Sequence, residues 1–195
     1  MASAPPATTP AVRALVIGTS GSGKTRLAQD LAAGLGCTHI ELDAHHWGPD
    51  WAMVPTEQFR ASVARALEDE GGKSWVADGN YSAVRDLLWP QASHVIWLNY
   101  GRATIFPRVL WRTVSRAFLG TTLWHGNRES LRMAFFSRDS ILLWSWNSFQ
   151  RNRSRYAALC ESGEYPHLQW RELTHPSQAK ALIQALTTDS SIQKI

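Results

Sequence analysis

The stretch GTSGSGKT, from Gly18 to Thr25, contains the residue types and the spacing that hold a phosphate. It satisfies the pattern GxxxxGK[ST], in which small residues let successive backbone N–H groups turn towards one anion. An apolar segment precedes it and a leucine-periodic segment follows it, so the loop is expected to join a strand to the N-terminus of a helix, whose dipole favours the same anion. The pattern predicts that Lys24 bridges the β- and γ-phosphates of a nucleotide and that the Thr25 hydroxyl ligates Mg²⁺.

Two aspartates, Asp43 and Asp78, each follow an apolar segment with strand character. In a parallel sheet both would lie at the carboxyl edge, beside the phosphate loop. An aspartate at that edge holds Mg²⁺ through water or accepts the proton of an acceptor hydroxyl. The alternative is that each aspartate caps the turn that follows it, as the Asp-Gly pair at 78–79 readily does.

The connection after Asp43 reads HHWGPDW. Adjacent histidines on a loop rarely face one ion, and no third spaced ligand accompanies His45 and His46, so a metal centre is not favoured here. Trp47 and Trp51 either wall an acceptor pocket or cover the core.

Arginines provide a second group of candidate phosphate ligands, because the guanidinium fork grips phosphate oxygens in pairs. Arg108, Arg112 and Arg116 are four residues apart and would share one helix face. The alternative for Arg116 is a solvated basic face. Arg128 lies in LGTTLWHGNRES, a segment that breaks the helical period and that we interpret as a lid, where an arginine could fold over a transferring phosphoryl group.

The elements that must position these residues alternate along the chain. The expected strands are 14–18, 38–43, 74–81, 94–100 and 167–173, and the expected helices are 24–36, 56–70, 102–118, 139–160 and 177–186. Thr56 is a candidate N-cap, and Pro107 must either start or kink its helix. The alternation predicts an α/β fold in which a mostly parallel sheet is covered on both faces.

The chain of 195 residues suits one domain, expected over 12–188 with a lid at about 119–138 and a disordered tail at 1–11. Apolar runs too short for a membrane span and a first segment without signal-peptide features predict a cytoplasmic protein. Cys37 and Cys160 are far apart and encode no disulfide framework or zinc site. The formal charge of +4 permits a nucleic-acid partner, but no helix-turn-helix pattern or lysine-rich arm favours one.

Read together, the phosphate loop, LDAHHWGPDW and WVADGNY make the chain resemble the adenylate-kinase-like P-loop kinases. The resemblance is closest to the small bacterial group labelled FlaR-related or topology-modulation proteins. It implies a three-layer P-loop NTPase fold with a five-stranded parallel sheet in the order 2-3-1-4-5 and a small helical lid after the fourth strand. It also implies that ATP and Mg²⁺ are the cofactors.

The same resemblance assigns roles to single residues. Asp78 and the glycine after it stand where these kinases carry Asp-Gly-Phe-Pro-Arg, whose aspartate serves the Mg²⁺ shell. Arg108 and Arg112 match paired arginines that touch the adenine and the phosphates. Residues 80–82 lack the arginine that would grip a nucleoside monophosphate, and Asp43 stands where shikimate- and gluconate-kinase relatives bind their substrate.

The expected site therefore has three parts. The nucleotide-binding residues are Gly18, Ser20, Gly21, Ser22, Gly23, Lys24, Thr25, Arg108 and Arg112. The catalytic residues are Lys24, Asp43, Asp78, Arg112 and Arg128, and the metal-binding residues are Thr25 and Asp78. The expected activity is transfer of the γ-phosphoryl group of ATP to a nucleotide or other small molecule by an enzyme similar to nucleoside monophosphate kinases. The alternative is a nucleotide-dependent regulatory or nucleic-acid-binding NTPase.

Overall fold

The structure, a computed structural model, describes residues 11–119, 124–127 and 141–192. Its strands are β1 (Arg13–Gly18), β2 (Thr38–Glu41), β3 (Trp75–Asp78), β4 (His94–Leu98) and β5 (Gln169–Leu173). Its helices are α1 (Lys24–Leu35), α2 (Leu42–His46), α3 (Thr56–Glu70), α4 (Arg85–Leu88), α5 (Arg102–Leu119), α6 (Ile141–Ser162) and α7 (Gln178–Ile192). Short 3₁₀ turns occupy Pro49–Trp51, Ser82–Val84 and Trp124–Gly126.

The five strands are parallel and lie in the order β2-β3-β1-β4-β5. This arrangement confirms the expected α/β fold class and strand order. The chain moves to one side of β1 to form β3 and β2, and to the other side to form β4 and β5. The carboxyl end of β1 therefore faces the crevice in which open α/β sheets bind their ligands, and the phosphate loop begins there.

Helices cover both faces of the sheet because alternate strand residues point to opposite sides. The cluster on the α3 side contains Leu15, Ile17, Phe59, Val63, Trp75 and Leu88. The cluster on the α1 side contains Val16, Leu27, Leu31, Val76, Ile96 and Val109. Since Asp78 follows Val76 by two residues, its side chain lies on the α1 side of the sheet. The register of β3 therefore directs this carboxylate towards the helix that begins at the phosphate loop.

Two local expectations are wrong. Strand β2 stops at Glu41, and Asp43 lies in the first turn of α2 rather than at the end of a strand. The chain turns there because Leu42 is drawn into the core, where it is 2% exposed. Thr56 is the first residue of α3, and its N-cap is Pro55, whose carbonyl accepts the first helical hydrogen bond from the Phe59 amide.

Helix α5 continues through Pro107, so this proline does not start it. The expected tail, except for its last residue, and most of the expected lid, including Arg128, lie outside the described residues. Among the helices that the structure describes, none is long and apolar enough to cross a membrane. Cys37 and Cys160 are both free, and burial raises the pKa of the Cys37 thiol to about 11.

Candidate active site

The phosphate loop has no room for a side chain at two of its glycines. A Cβ on Gly21, which has a φ of +81°, would lie 2.1 Å from Cγ2 of Val109 in α5. A Cβ on Gly18, with a φ of +150°, would lie 2.8 Å from the carbonyl oxygen of Leu98. Glycine at both positions allows β4 and α5 to pack directly against the loop backbone. Helix α5 therefore forms one wall of the loop.

Asn80 ties the segment after β3 to the start of the phosphate loop. Its Oδ1 accepts a hydrogen bond from the Gly18 amide at 3.3 Å, and its Nδ2 donates to the Gly18 carbonyl at 2.6 Å. The side chain thus satisfies both backbone groups of the residue at which β1 ends. Sequence reasoning treated Asn80 only as part of a departure from a family motif, because its partner lies 62 residues away in the chain.

Thr25 and Asp78 meet at the N-terminus of α1, as the expected metal-binding pair requires. The Thr25 hydroxyl donates to Oδ2 of Asp78 at 2.8 Å, and Asp78 is only 4% exposed. The register that pairs Val16 with Asp78 brings the carboxylate beside the loop. A hydroxyl and a carboxylate are hard oxygen ligands of the kind that Mg²⁺ prefers, so this donor set fits a magnesium ion.

His39 is a site residue that sequence reasoning missed. Its Nε2 lies 2.7 Å from Oδ1 of Asp78, so the second carboxylate oxygen also has a partner. The alternation in β2 contains the signal, because Ile40 packs in the α3-side cluster and His39 must then face the α1 side. His39 reaches Asp78 only because β2 lies beside β3 in the sheet.

Lys24 begins α1, and its ammonium group lies 3.4 Å from the Thr19 carbonyl, to which it donates. Burial lowers the pKa of Lys24, and the attraction of Asp43 and Asp78 only partly opposes that effect. A desolvated ammonium group gains more from a further anion than an exposed one does. This environment fits the expected contact of Lys24 with nucleotide phosphates.

Helix α5 brings two of the expected arginines to the loop. Arg112 donates from Nη2 to the Ser20 hydroxyl at 3.3 Å. The Arg108 guanidinium lies over the ring of Tyr100, 5.8 Å from its centroid, and its Nη1 is 4.0 Å from the place of a Cβ on Gly23. These contacts bring two guanidinium groups of α5 to the phosphate loop, one at Ser20 and one near Gly23. Ser22, also expected to bind nucleotide, is 1% exposed, and its hydroxyl has no hydrogen-bond partner within the described residues.

Asp43 lies close enough to Lys24 to oppose the effect of burial on the pKa of its ammonium group, and it is held by Tyr81, whose hydroxyl donates to Oδ1 at 2.6 Å. Burial and the nearby Asp43 carboxylate raise the pKa of Tyr81, so its hydroxyl keeps its proton. The contact occupies one oxygen of the carboxylate. Sequence reasoning missed Tyr81 because its partner lies 38 residues earlier.

The histidine and tryptophan residues after Asp43 have separate surroundings. His45 contacts the Ser62 hydroxyl at 2.6 Å, whereas the His46 ring lies 4.5 Å from that of Tyr81. Burial lowers the pKa of both histidines. Trp47 and Trp51 pack edge to face at 5.9 Å, are partly exposed and belong to neither core cluster. They therefore do not cover the core, and their role as a wall of an acceptor pocket stays a prediction.

Comparison with known proteins finds similarity at the level of the fold only. No protein-family model and no curated protein matches it. Its structure is similar to that of a sugar kinase from Janibacter sp., with a TM-score of 0.51 and 21% identity over 92% of this chain and 94% of that chain. It is also similar to a gluconokinase from Sinorhizobium meliloti, with a TM-score of 0.50 and 18% identity over 96% and 99% of the two chains. At these identities the likeness shows the fold, which is the α/β fold of P-loop kinases.

Proposed function

We propose that this protein is a kinase that transfers the γ-phosphoryl group of ATP to a hydroxyl group of a small molecule. The observation that carries the proposal is the 2.8 Å hydrogen bond between Thr25 and Asp78 at the end of a complete phosphate loop. It joins the hydroxyl and the carboxylate that such a loop needs for a nucleotide-bound metal. The similarity of the described fold to those of a sugar kinase and a gluconokinase supports the same activity.

The nucleotide side of the proposed site is formed by β1, the loop, α1 and α5. The loop amides and Lys24 bind the β- and γ-phosphates, and Arg112 approaches them from α5. Thr25 and Asp78 would hold Mg²⁺, which when bound neutralises phosphate charge. His39 orients the Asp78 carboxylate through its 2.7 Å contact. These groups stabilise charge and positions rather than form covalent bonds with the substrate.

The acceptor side is formed by α2 and the segments that contact it. Asp43 orients the acceptor hydroxyl and accepts its proton with the carboxylate oxygen that Tyr81 does not occupy. Since the two similar structures are described as a sugar kinase and a gluconokinase, polyhydroxylated acceptors are the first to test. The missing arginine at 80–82 also disfavours a nucleoside monophosphate.

A nucleoside monophosphate acceptor is the second candidate, and Arg85 favours it. This residue begins α4, seven residues after Asp78, and its guanidinium lies 5.4 Å from the centroid of the Trp89 ring. It lines a small, water-sized cavity together with Asn80 and Tyr81, so a phosphate would have to meet its guanidinium group outside this cavity. A relationship to the FlaR-related group and a cytoplasmic location remain predictions under either candidate.

The test is acceptor-dependent ATP consumption with Mg²⁺ and a panel of neutral sugars, sugar acids, nucleosides and nucleoside monophosphates. We expect one class to raise ADP formation and to gain the mass of one phosphoryl group. Lys24→Ala serves as the inactive control. A titration with duplex DNA over a range of salt concentrations tests the regulatory alternative. ADP formation that only DNA stimulates, with no phosphorylated small molecule, would contradict the proposal.

A further inference from the structure

Two turns that are far apart in the sequence are joined by one buried side chain. Asn127 donates from Nδ2 to the Gly48 carbonyl at 2.8 Å and accepts at Oδ1 from the Trp51 amide at 3.2 Å. It is 5% exposed. An amide whose donor and acceptor both meet the backbone of one other turn fixes the separation and the orientation of the two segments. The contact therefore holds residues 124–127 against residues 48–51.

The backbone of both turns is strained at this contact. Asp50, Trp51 and His125 have φ values of +55°, +59° and +55°, and in the described ranges no other non-glycine residue has a positive φ. Residues with side chains rarely adopt this conformation unless the surrounding structure imposes it. The three therefore lie in the two segments that the hydrogen bonds of Asn127 join.

The joined turns carry a row of aromatic rings towards Asp43. Trp124 packs edge to face on Trp51 at 6.5 Å, and Trp51 packs in the same way on Trp47 at 5.9 Å. The Trp124 side chain is also hydrogen-bonded to that of Glu41, which lies two residues before Asp43. All three tryptophans are partly exposed. The Trp47 side chain is hydrogen-bonded to that of Tyr81, which donates to Asp43, so this end of the row lies next to the carboxylate to which we assign the acceptor.

We propose that Asn127 is a positioning residue for the acceptor. By joining residues 124–127 to residues 48–51, it holds the three tryptophans as one wall beside Asp43. Without the two hydrogen bonds of Asn127, Trp124 and Trp51 would lose their fixed separation, and the acceptor would lose one side of its pocket. Within the described residues, the side-chain hydrogen bonds of Asn127 go to residues 48–51 and none goes to the nucleotide side. The inference rests on the proposed function, because it concerns the acceptor of that reaction.

The test uses Asn127→Ala and Asn127→Asp, with Asn152→Ala on α6 as the control. Aspartate has the shape of asparagine but cannot donate to the Gly48 carbonyl. With the acceptor that the panel identifies, we expect the acceptor KM to rise about tenfold in both Asn127 variants, as the loss of buried hydrogen bonds predicts. The KM for ATP and acceptor-independent ATP hydrolysis should remain close to the wild-type values. Backbone hydrogen exchange at residues 48–54 should become faster in both variants and remain unchanged in the control.

An unchanged acceptor KM, an equal loss of ATP hydrolysis, or unchanged exchange at residues 48–54 would overturn the inference. A purely structural role would change thermal stability and all kinetic parameters together, so the selective rise in acceptor KM is the deciding result. If the proposed function itself is wrong, the experiment gives a different result. In that case the wild-type protein itself phosphorylates no member of the panel, and the inference falls with it.

Discussion

The two sides of the proposed site are built in different ways. The nucleotide side is centred on one run of eight residues, Gly18 to Thr25, whose glycines let β4 and α5 approach the backbone closely. The acceptor side is assembled from α2, residues 48–51, the segment after β3 and residues 124–127. Glycines shape the nucleotide side, whereas tryptophan rings and the side-chain amide of Asn127 shape the acceptor side.

This difference separates two kinds of function. A phosphate presents the same chemistry to every kinase, so a short local loop is enough to hold it. An acceptor differs from one enzyme to the next, and its pocket is formed by loops that a scaffold brings together. Substitutions on the nucleotide side should therefore impair every reaction of ATP, and substitutions on the acceptor side should impair transfer alone.

The largest effect is expected for Lys24→Met. Turnover should fall by at least about a thousandfold, because the variant lacks the cation that meets the transferring phosphoryl group. The lowered pKa of Lys24 means that folding disfavours its charged form, so the variant without ligand should be at least as thermally stable as the wild type. Thermal denaturation with and without MgATP measures both properties. Stabilisation of the variant by MgATP equal to that of the wild type would contradict the assignment.

Next in size is the difference between Asp78→Asn and Asp43→Asn. Asp78→Asn should lower acceptor-independent ATP hydrolysis by about a hundredfold, since its carboxylate serves the metal side. Asp43→Asn should suppress transfer to the acceptor and spare hydrolysis, because water does not need the hydrogen bonds of the acceptor. Both rates can be followed in one ADP assay with and without acceptor. Equal loss of hydrolysis in the two variants would contradict separate roles for the two aspartates and would assign Asp43 to the metal site.

A pair of glycine substitutions tests the close packing of the nucleotide side. Gly21 and Gly72 have similar φ values of +81° and +84°, but a Cβ on Gly72 meets no atom within 4 Å. Gly72→Ala should lower the free energy of unfolding by about 1 kcal/mol through backbone strain alone. Gly21→Ala should lower it by about 2–4 kcal/mol and weaken ATP binding, because the new methyl group collides with Val109. Denaturant titration measures the free energy of unfolding of both variants. Equal decreases would show that the contact with Val109 does not destabilise Gly21→Ala.

Val109→Ala provides the control for this pair. It removes the methyl group nearest to the loop, so the double variant Gly21→Ala, Val109→Ala should recover part of the ATP affinity that Gly21→Ala loses. If the double variant recovers no ATP affinity, the positive φ of Gly21, rather than its contact with α5, causes the loss of affinity.

The smallest effect is expected for Tyr81→Phe on the acceptor side. Loss of the hydrogen bond to Asp43 should raise the acceptor KM by about three- to tenfold and leave ATP hydrolysis unchanged. Because burial raises the pKa of Tyr81, its hydroxyl stays protonated at neutral and moderately alkaline pH. The ratio of wild-type to variant KM should therefore be constant between about pH 6 and 9. A ratio that rises towards one as the pH rises would show that the tyrosine titrates in that range.

Most of the fold could be predicted from the sequence. The periodicity of the leucines after Lys24 and the short apolar runs before Gly18 and Asp78 indicated alternating strands and helices, and the resemblance supplied their order. The end of β2 was placed wrongly because burial of Leu42, a tertiary contact, turns the chain into α2. The N-cap of α3 was also misplaced, since a threonine resembles a cap more than the proline before it does.

The sequence by itself determined the phosphate loop, because its residues are neighbours in the chain and their backbone makes the site. Only the tertiary structure decided how the carboxylates are held. His39 reaches Asp78 because β2 lies beside β3, and Tyr81 reaches Asp43 across 38 residues of chain. Asn127 reaches the Gly48 turn across 79 residues. A side chain that acts through a distant partner has no local pattern, because packing of the sheet and its helices, rather than spacing, brings the two together.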